Sequence, residues 1–296
     1  MTLSLEARKR LWAYIFITLP VLYFLIVRIF PMFYAFNISI HEWDILSPTK
    51  PFVGLKNFRI LFADPMFWKA LWNTFLYTLI IVPGGLIPGL AIALMLNNIT
   101  RFAVFFRVLF FAPFVTSLVA ISFIWKWLYD PTFGFFNTIL KAFGLPAQNF
   151  LQDPNQVLPA IAVMTIWQGL GFQIIIFLAG LRAIPDMYYD AAKIDGAGPW
   201  QIFRYITIPL LNPTIVFLVI TSVIQSLRIF TQVFNMTFPN VGGPLRNATT
   251  LVLELYQQAF HHFKMGYASA ITVVLFCIIL VITLFQLKVL SKKVEY

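Results

Sequence analysis

The sequence predicts an all-α polytopic membrane protein with six transmembrane helices, on three observations. Of its 296 residues 60% are hydrophobic and only 11% charged, against roughly 25% charged in soluble proteins. The mean hydropathy is +0.84, so the bilayer rather than water must solvate most of this surface. Apolar stretches of about 20 residues, the length that crosses about 30 Å of hydrocarbon, recur along nearly the whole chain. Neither an internal repeat nor a low-complexity segment divides it, so a single transmembrane domain over residues 1–296 is the simplest organisation.

Six stretches qualify as spans: Leu11 to Phe36, Ala70 to Leu96, Ala103 to Leu128, Leu158 to Leu181, Ile206 to Leu227 and Tyr267 to Leu290. The first follows Arg8, Lys9 and Arg10 and is longer than the apolar region of a signal peptide, with no small-residue cleavage site behind it, so it is read as a retained helix. Proline is tolerated in membrane helices because neighbours and water re-satisfy the freed carbonyls. Pro83-Gly84-Gly85 and Pro88-Gly89 predict a bend in the second span.

Lys and Arg set the orientation. Arg8, Lys9 and Arg10 place the N-terminus inside, and six spans return the C-terminus inside beside Lys288, Lys292 and Lys293. The short link at Arg101 and the segment holding Arg182, Lys193 and Arg204 then also fall inside. Trp43, Trp68, Trp72, Trp125 and Trp127 fall near the outer boundaries and Trp12 near the inner one, where amphipathic rings collect. Lys126, Arg28 and Lys69 are expected to snorkel to the headgroups. The net charge of +10 has no long basic run behind it; it fits helix flanks facing lipid rather than a nucleic-acid surface.

Several chemistries are disfavoured. Cys277 is the only cysteine, so an internal disulfide and Cys-based metal spacing are both out. His261-His262 with Glu254 offers no third ligand at helical spacing, and no metal site is expected. The chain holds no GxxxxGK[ST] loop for cradling phosphates. Any ATP and Mg must therefore be bound by another chain, and no cofactor is expected in this one. A membrane-embedded enzyme would need clustered ionisable residues within its spans. Arg28, Arg107 and Lys126 all fall near predicted span ends, so no catalytic role is expected.

The most informative stretch is the inner segment 182–209. Pro185 suits a helix start, and Asp186 and Asp190 favour the positive N-terminal half of a first short helix. Asp195-Gly196 breaks it, with Gly196 free to take a left-handed conformation after the helix end. Pro199 opens a second helix, and Pro209 starts the descent into span five. An ordinary link between spans is polar and irregular. This one is ordered, half apolar and rich in small residues, which suits docking into a partner's groove.

That segment carries a resemblance. Asp190-Ala191-Ala192, then Asp195-Gly196-Ala197, Phe203, Ile206 and Pro209 resemble the EAA loop of bacterial ABC-importer permeases, with Asp190 in place of the usual glutamate and Ile208 in place of the leucine before Pro209. Gly54-Leu55-Lys56-Asn57-Phe58, Trp72-Asn73-Thr74, Leu178 to Pro185, and Gly242-Gly243-Pro244 with Thr249 or Thr250 and Tyr256 to Phe260 resemble further motifs of the sugar branch, of the maltose and glycerol-phosphate type. The resemblance implies the type I importer permease fold, with its core over about residues 70–290. It implies a bacterial inner-membrane location and import of a di- or oligosaccharide by alternating access. The implied partners are a second, distinct permease, an ATPase dimer and an extracytoplasmic sugar-binding protein. Asp190, Ala191, Ala192, Asp195, Gly196 and Ala197 would form the contact with the ATPase. Gly242, Gly243 and Pro244 would lie in the outer loop facing the binding protein, although two glycines also suit a plain tight turn. The competing solute is a glycerol phosphate, phosphate or polyamine.

Polar groups inside spans are costly and mark solute pathways. In span four Thr165, Gly169 and Phe172 share one helical face, with Gln168 beside it; in span five Ser222, Gln225, Ser226 and Ile229 share another. These two faces are expected to line a midplane sugar cavity. The alternative is that the same Gln, Ser and Thr groups bond neighbouring helices, at roughly 1 kcal/mol each.

Overall fold

The computed structural model describes residues 5–47, 49–99 and 101–290; of Ala7 and Arg8 it describes the backbone only. Lys292 and Lys293, and the Arg8 side chain, which the charge reading used, lie outside the described residues. In chain order the helices are α1 (Leu5–Phe24), α2 (Phe30–Ser39), α3 (Lys56–Ala63), α4 (Pro65–Asn97), α5 (Ala103–Val115), α6 (Leu118–Leu128), α7 (Phe135–Ala142) and α8 (Val157–Arg182). They continue as α9 (Asp186–Ile194), α10 (Pro199–Ile202), α11 (Ile208–Leu210), α12 (Asn212–Leu227), α13 (Thr231–Thr237), α14 (Leu251–Tyr256) and α15 (Met265–Leu290). Among the described residues the only strand-like pairings are two isolated bridges, His41 with Phe52 and Asp44 with Lys264.

All six predicted spans are helical. Four are single runs, Lys9–Ser39, Pro65–Asn97, Val157–Arg182 and Met265–Leu290. The other two are bent pairs, α5 with α6 at 96° and Pro199–Leu210 with α12 at 65°. In the second span α4 is one continuous helix through Pro83 and Pro88. The breaks fall at Thr116, which is extended, and Ser117, which is non-helical, and at Leu211. Residues 206–210 thus belong with the short helices before the break, not with span five.

The described chain forms two compact units: residues 1–64 with 255–276, and residues 65–254 with 277–296. In the first, α1 passes through a π-helical turn at Leu25–Ile29 into α2. The buried Asn57 pins the chain beyond α2 by donating to the Ser39 and His41 carbonyls at 2.8 and 2.9 Å. That explains the asparagine of the Gly54-Leu55-Lys56-Asn57-Phe58 motif. The start of α15 closes on the same loop: Gly266 N–H donates to Trp43 O at 3.1 Å and the Tyr267 hydroxyl to Asp64 Oδ2 at 2.6 Å.

The second unit is built around α8, which packs on α4, α5 and α12. Its glycines set how closely they approach. A Cβ on Gly171 would stand 2.1 Å from Phe110 O of α5, and one on Gly180 would stand 2.3 Å from Thr214 Oγ1 of α12. Facing α8, the glycines of α4 serve the same purpose. A Cβ on Gly85 would lie 2.6 Å from Gln173 Nε2, and one on Gly84 2.6 Å from Ile166 Cδ1. Small residues that let helix backbones approach are the usual substitute for hydrophobic drive in a bilayer.

Two further expectations are corrected. Trp125 is not an interfacial ring: it is buried in the core with ring centroids 5.3 Å from Trp167 and 5.6 Å from Tyr129. Lys126 and Lys69 do not reach out to headgroups either. Their ammonium groups donate to Phe238 O and, at 2.6 Å, to Leu245 O, anchoring the loop that holds Gly242 and Gly243. The side chains of Trp68, Trp72 and Trp127 are exposed, as an aromatic belt requires.

Because Gly171 faces backbone rather than a flexible side chain, Gly171→Ala should cost about 1–3 kcal/mol in overpacking. It should lower the thermal unfolding midpoint of the detergent-purified protein. Gly169→Ala, two residues away with open space around its Cβ position, should leave that midpoint unchanged.

Candidate functional site

The structure places all eight predicted cavity residues around one cavity of about 90 Å³. Thr165, Gln168, Gly169 and Phe172 come from α8; Ser222, Gln225 and Ser226 come from α12, with Ile229 just beyond its end. Gly169 lies at the middle of α8, and Ile81, which also lines the cavity, at the middle of α4. The cavity therefore sits midway along two helices that each exceed the hydrocarbon thickness at 1.5 Å per residue.

These residues differ in how much of their chemistry is free. The Thr165 hydroxyl bonds Tyr77 Oη at 2.6 Å and donates to Ile161 O at 3.0 Å. Ser226 Oγ donates to Thr78 Oγ1 at 3.0 Å, tying α12 to α4. Both are occupied in holding helices together, the alternative weighed from the sequence. Gln168 Nε2 makes a long 3.4 Å bond to Phe114 O, and Phe172 stacks on Phe114 at 5.1 Å. Ser222 and Gln225 make no side-chain hydrogen bond among the described residues. Among the described residues nothing lies within 4 Å of a Cβ built on Gly169, so the cavity opens directly onto helix backbone there.

Two polar lining residues escaped sequence reasoning. Gln173, 7% exposed, sits against Gly85 and Gly89 of α4 and leaves Oε1 buried without a hydrogen bond among the described residues. Its four-residue spacing from Gly169 was the available signal. Gln232 lies beyond the break that ends α12, where helical periodicity no longer carries.

At the C-terminal end of α8 the segment 182–209 folds as a knob. Pro185 stands just before α9, and Pro199 is the first residue of α10. After α9, Ala197 N–H bonds Ala192 O at 2.9 Å and Gly196 N–H bonds Lys193 O at 3.1 Å. With Gly196 at φ +76°, this is a Schellman end, which demands a residue at ease in the left-handed region. The Tyr189 hydroxyl reaches Thr207 Oγ1 at 3.4 Å, bringing α9 against the turn after α10. Ala192 is buried within the knob, whereas Ala191 is exposed. Asp190 pairs with Lys193 at 3.2 Å, both about two-thirds exposed, a geometry of little intrinsic worth. Asp195, Gly196 and Ala197 edge a surface hollow of about 310 Å³ shared with Tyr205. Ile194 is 86% exposed and Met187, Trp200 and Tyr205 are also exposed, an apolar cluster of the kind that marks interaction surfaces.

The chain matches, over residues 60–296, the family described as binding-protein-dependent transport system inner membrane component. It belongs to that family. The permease is 36% identical to a probable ABC transporter permease protein of Pyrococcus horikoshii, over 86% of this chain and 87% of the relative. It is 34% identical to the multiple sugar-binding transport system permease protein MsmF of Streptococcus mutans, over 97% of each. It is 32% identical to the trehalose/maltose transport system permease protein MalF of Thermococcus litoralis, over 98% of this chain and 97% of the relative. Among solved structures it superposes on a chain of a bacterial alginate ABC transporter in complex with alginate pentasaccharide-bound periplasmic protein. That match has a TM-score of 0.80 and 25% identity, and covers 94% of this chain and 93% of the other. The type I importer permease fold and the multi-pass membrane assignment follow.

At the end of the second unit opposite the knob, Gly242 and Gly243 take φ +94° and +73°. Gly242 N–H donates to Thr237 Oγ1 at 2.9 Å, and a Cβ on Gly242 would meet Thr249 Oγ1 at 2.3 Å. The two glycines and Pro244 thus make the tight turn that was one of the two readings. The turn is held by Arg246, whose guanidinium donates to the fully buried Glu254 carboxylate at 2.7 Å.

Removing Arg246 would take its 2.7 Å guanidinium contact from a carboxylate in the core. Arg246→Ala should destabilise the protein by about 3 kcal/mol, the lower end for a broken buried pair, because Arg246 is itself 39% exposed. The check is thermal unfolding together with protease cleavage in residues 238–250, which should accelerate.

Proposed function

We propose that this permease moves a di- or oligosaccharide across a bacterial cytoplasmic membrane by alternating access, powered by a separate ATPase dimer through the knob at 182–209. One observation carries the reading: a single rigid helix, α8, bears half of a midplane polar cavity at its centre and the exposed apolar knob at its end. Sites near the bilayer midplane, alternately opened to either side, are the general solution for transporters. The sugar class is supported by relatives named for sugars and by a cavity that combines an aromatic face, Phe172, with the unspent amide of Gln225 and hydroxyl of Ser222.

In this reading the knob is cytoplasmic, both termini are cytoplasmic, and the glycine turn at 242–244 faces an extracytoplasmic binding protein. The whole chain acts as one permease domain with its core over residues 70–290, paired with a second permease. Asp190 exchanges its weak partner Lys193 for a basic residue of the ATPase. Ile194, Trp200 and Tyr205 supply the apolar contact. ATP and Mg stay on the ATPase, and this chain supplies no catalytic group. A glycerol phosphate or other anion is disfavoured as solute because Arg and Lys are absent from the residues lining the cavity.

The test is reconstitution of the complete importer in vesicles. Wild type should take up sugar only with ATP and loaded binding protein. Gly169→Leu fills the cavity and should cut uptake at least about ten-fold with assembly intact. Gly196→Asp should uncouple ATP hydrolysis from uptake while membrane insertion is kept. Wild-type transport in Gly169→Leu would remove the cavity from the pathway, and in Gly196→Asp it would remove the coupling role of the knob.

A further inference from the structure

The midplane cavity, at about 90 Å³, is well below the roughly 300–1,000 Å³ of small-molecule sites. A second cavity in the same unit, about 480 Å³, falls within that range. It lies where α6 ends, where the chain enters α8, and where α13 runs into the glycine turn. One short helix links the two. Gln232, in the first turn of α13, lines the midplane cavity, and Met236 and Thr237, at its end, line the larger one. At 1.5 Å per residue the step between them is about 6–8 Å, within reach of two neighbouring rings of one oligosaccharide.

The lining has the chemistry of a polyhydroxylated ligand. The amides of Asn149, Gln152 and Asn240 make no side-chain hydrogen bond among the described residues. They come from two separate loops that converge on one hollow. Phe238, 51% exposed, places an aromatic ring at its rim. The rim itself is fixed. Lys126 holds Phe238 O, and Asp130 Oδ1 accepts from the Thr132 and Phe133 N–H groups at 2.8 and 3.0 Å. The buried Tyr129 hydroxyl donates to Ala160 O at 3.0 Å. Carbohydrate hydroxyls need amides that both donate and accept, and their C–H faces need an aromatic plane. Here the three amides stand unspent, and the Phe238 ring, with Lys126 Nζ 6.0 Å and the Phe234 ring 6.4 Å from its centroid, still leaves half its surface open.

We propose that this cavity is an outer waiting site for the sugar, holding part of the solute while the midplane cavity is too small to admit it. Asn149, Gln152 and Asn240 bind hydroxyls and Phe238 stacks a ring. The inference rests on the sugar-import reading above.

The test uses the assembled importer with its binding protein in vesicles, offered maltose, maltotriose, trehalose and raffinose. Uptake of none of them by wild type would overturn the sugar reading, and this site with it. On whichever sugar is imported, Gln152→Ala with Asn240→Ala, and separately Phe238→Ala, are compared with wild type. The site predicts uptake at limiting loaded binding protein lowered about five-fold or more, the scale of one ordinary hydrogen bond. Binding of the loaded binding protein to the complex in nanodiscs should be unchanged. Because these side chains are exposed and make no hydrogen bond, assembly by size exclusion should match wild type. Wild-type uptake in both variants overturns the waiting site and leaves the sugar reading standing. Docking weakened in step with uptake reassigns these residues to the binding-protein interface and overturns it equally.

Discussion

The second unit depends on backbone-close packing of α8 against its neighbours. Gly171 admits the α5 backbone at Phe110, Gly180 admits Thr214 of α12, and Gly84, Gly85 and Gly89 of α4 receive Ile166 and Gln173 from α8. In a bilayer, burial against lipid gains little, so such contacts and a few interhelical hydrogen bonds carry the association. Tyr77 to Thr165 and Ser226 to Thr78 are two of those bonds. Together they fix the position of the cavity wall relative to the knob. A displacement at the end of α8 is passed to its centre because a packed helix does not deform continuously.

The interface also carries a cost that bears on mechanism. Among the described residues Gln173 Oε1 is buried against α4 with no donor, and an unmade hydrogen bond of this kind costs about 1–3 kcal/mol. The cavity beside it is too small for a sugar ring as the chain stands. A transporter that alternates between states needs arrangements close in energy, since packed elements switch between discrete positions rather than flexing. An orphaned amide at the cavity edge is a local reason for the closed arrangement not to be too stable.

The spans, their order and the knob were legible in the sequence because hydropathy and helix-end chemistry are local signals. Gly196 is the clearest case. Asp-Gly after a short helix announced a left-handed residue, and φ +76° with the paired Schellman bonds is what the chain adopts. The two cavity faces were legible because residues three, four and seven apart share a side. What failed was non-local. Pro83-Gly84-Gly85 reads as a bend, and its use as a notch for Ile166 and Gln173 shows only once α8 is packed against it. Lys126 and Lys69 read as headgroup anchors because their acceptors at Phe238 and Leu245 lie more than a hundred residues away. Trp125 resembled a belt residue until Trp167 and Tyr129 enclosed it.

The central claim is that the α8–α12 cavity opens and closes as the ATPase turns over. Its most direct measurement is thiol accessibility in the assembled importer, with the single native cysteine removed (Cys277→Ser) and Gln225→Cys introduced. A membrane-impermeant thiol reagent applied from the binding-protein side should react slowly in the resting complex and at least about ten-fold faster when the ATPase dimer is trapped closed with ATP. Equal rates in the two states would contradict the account.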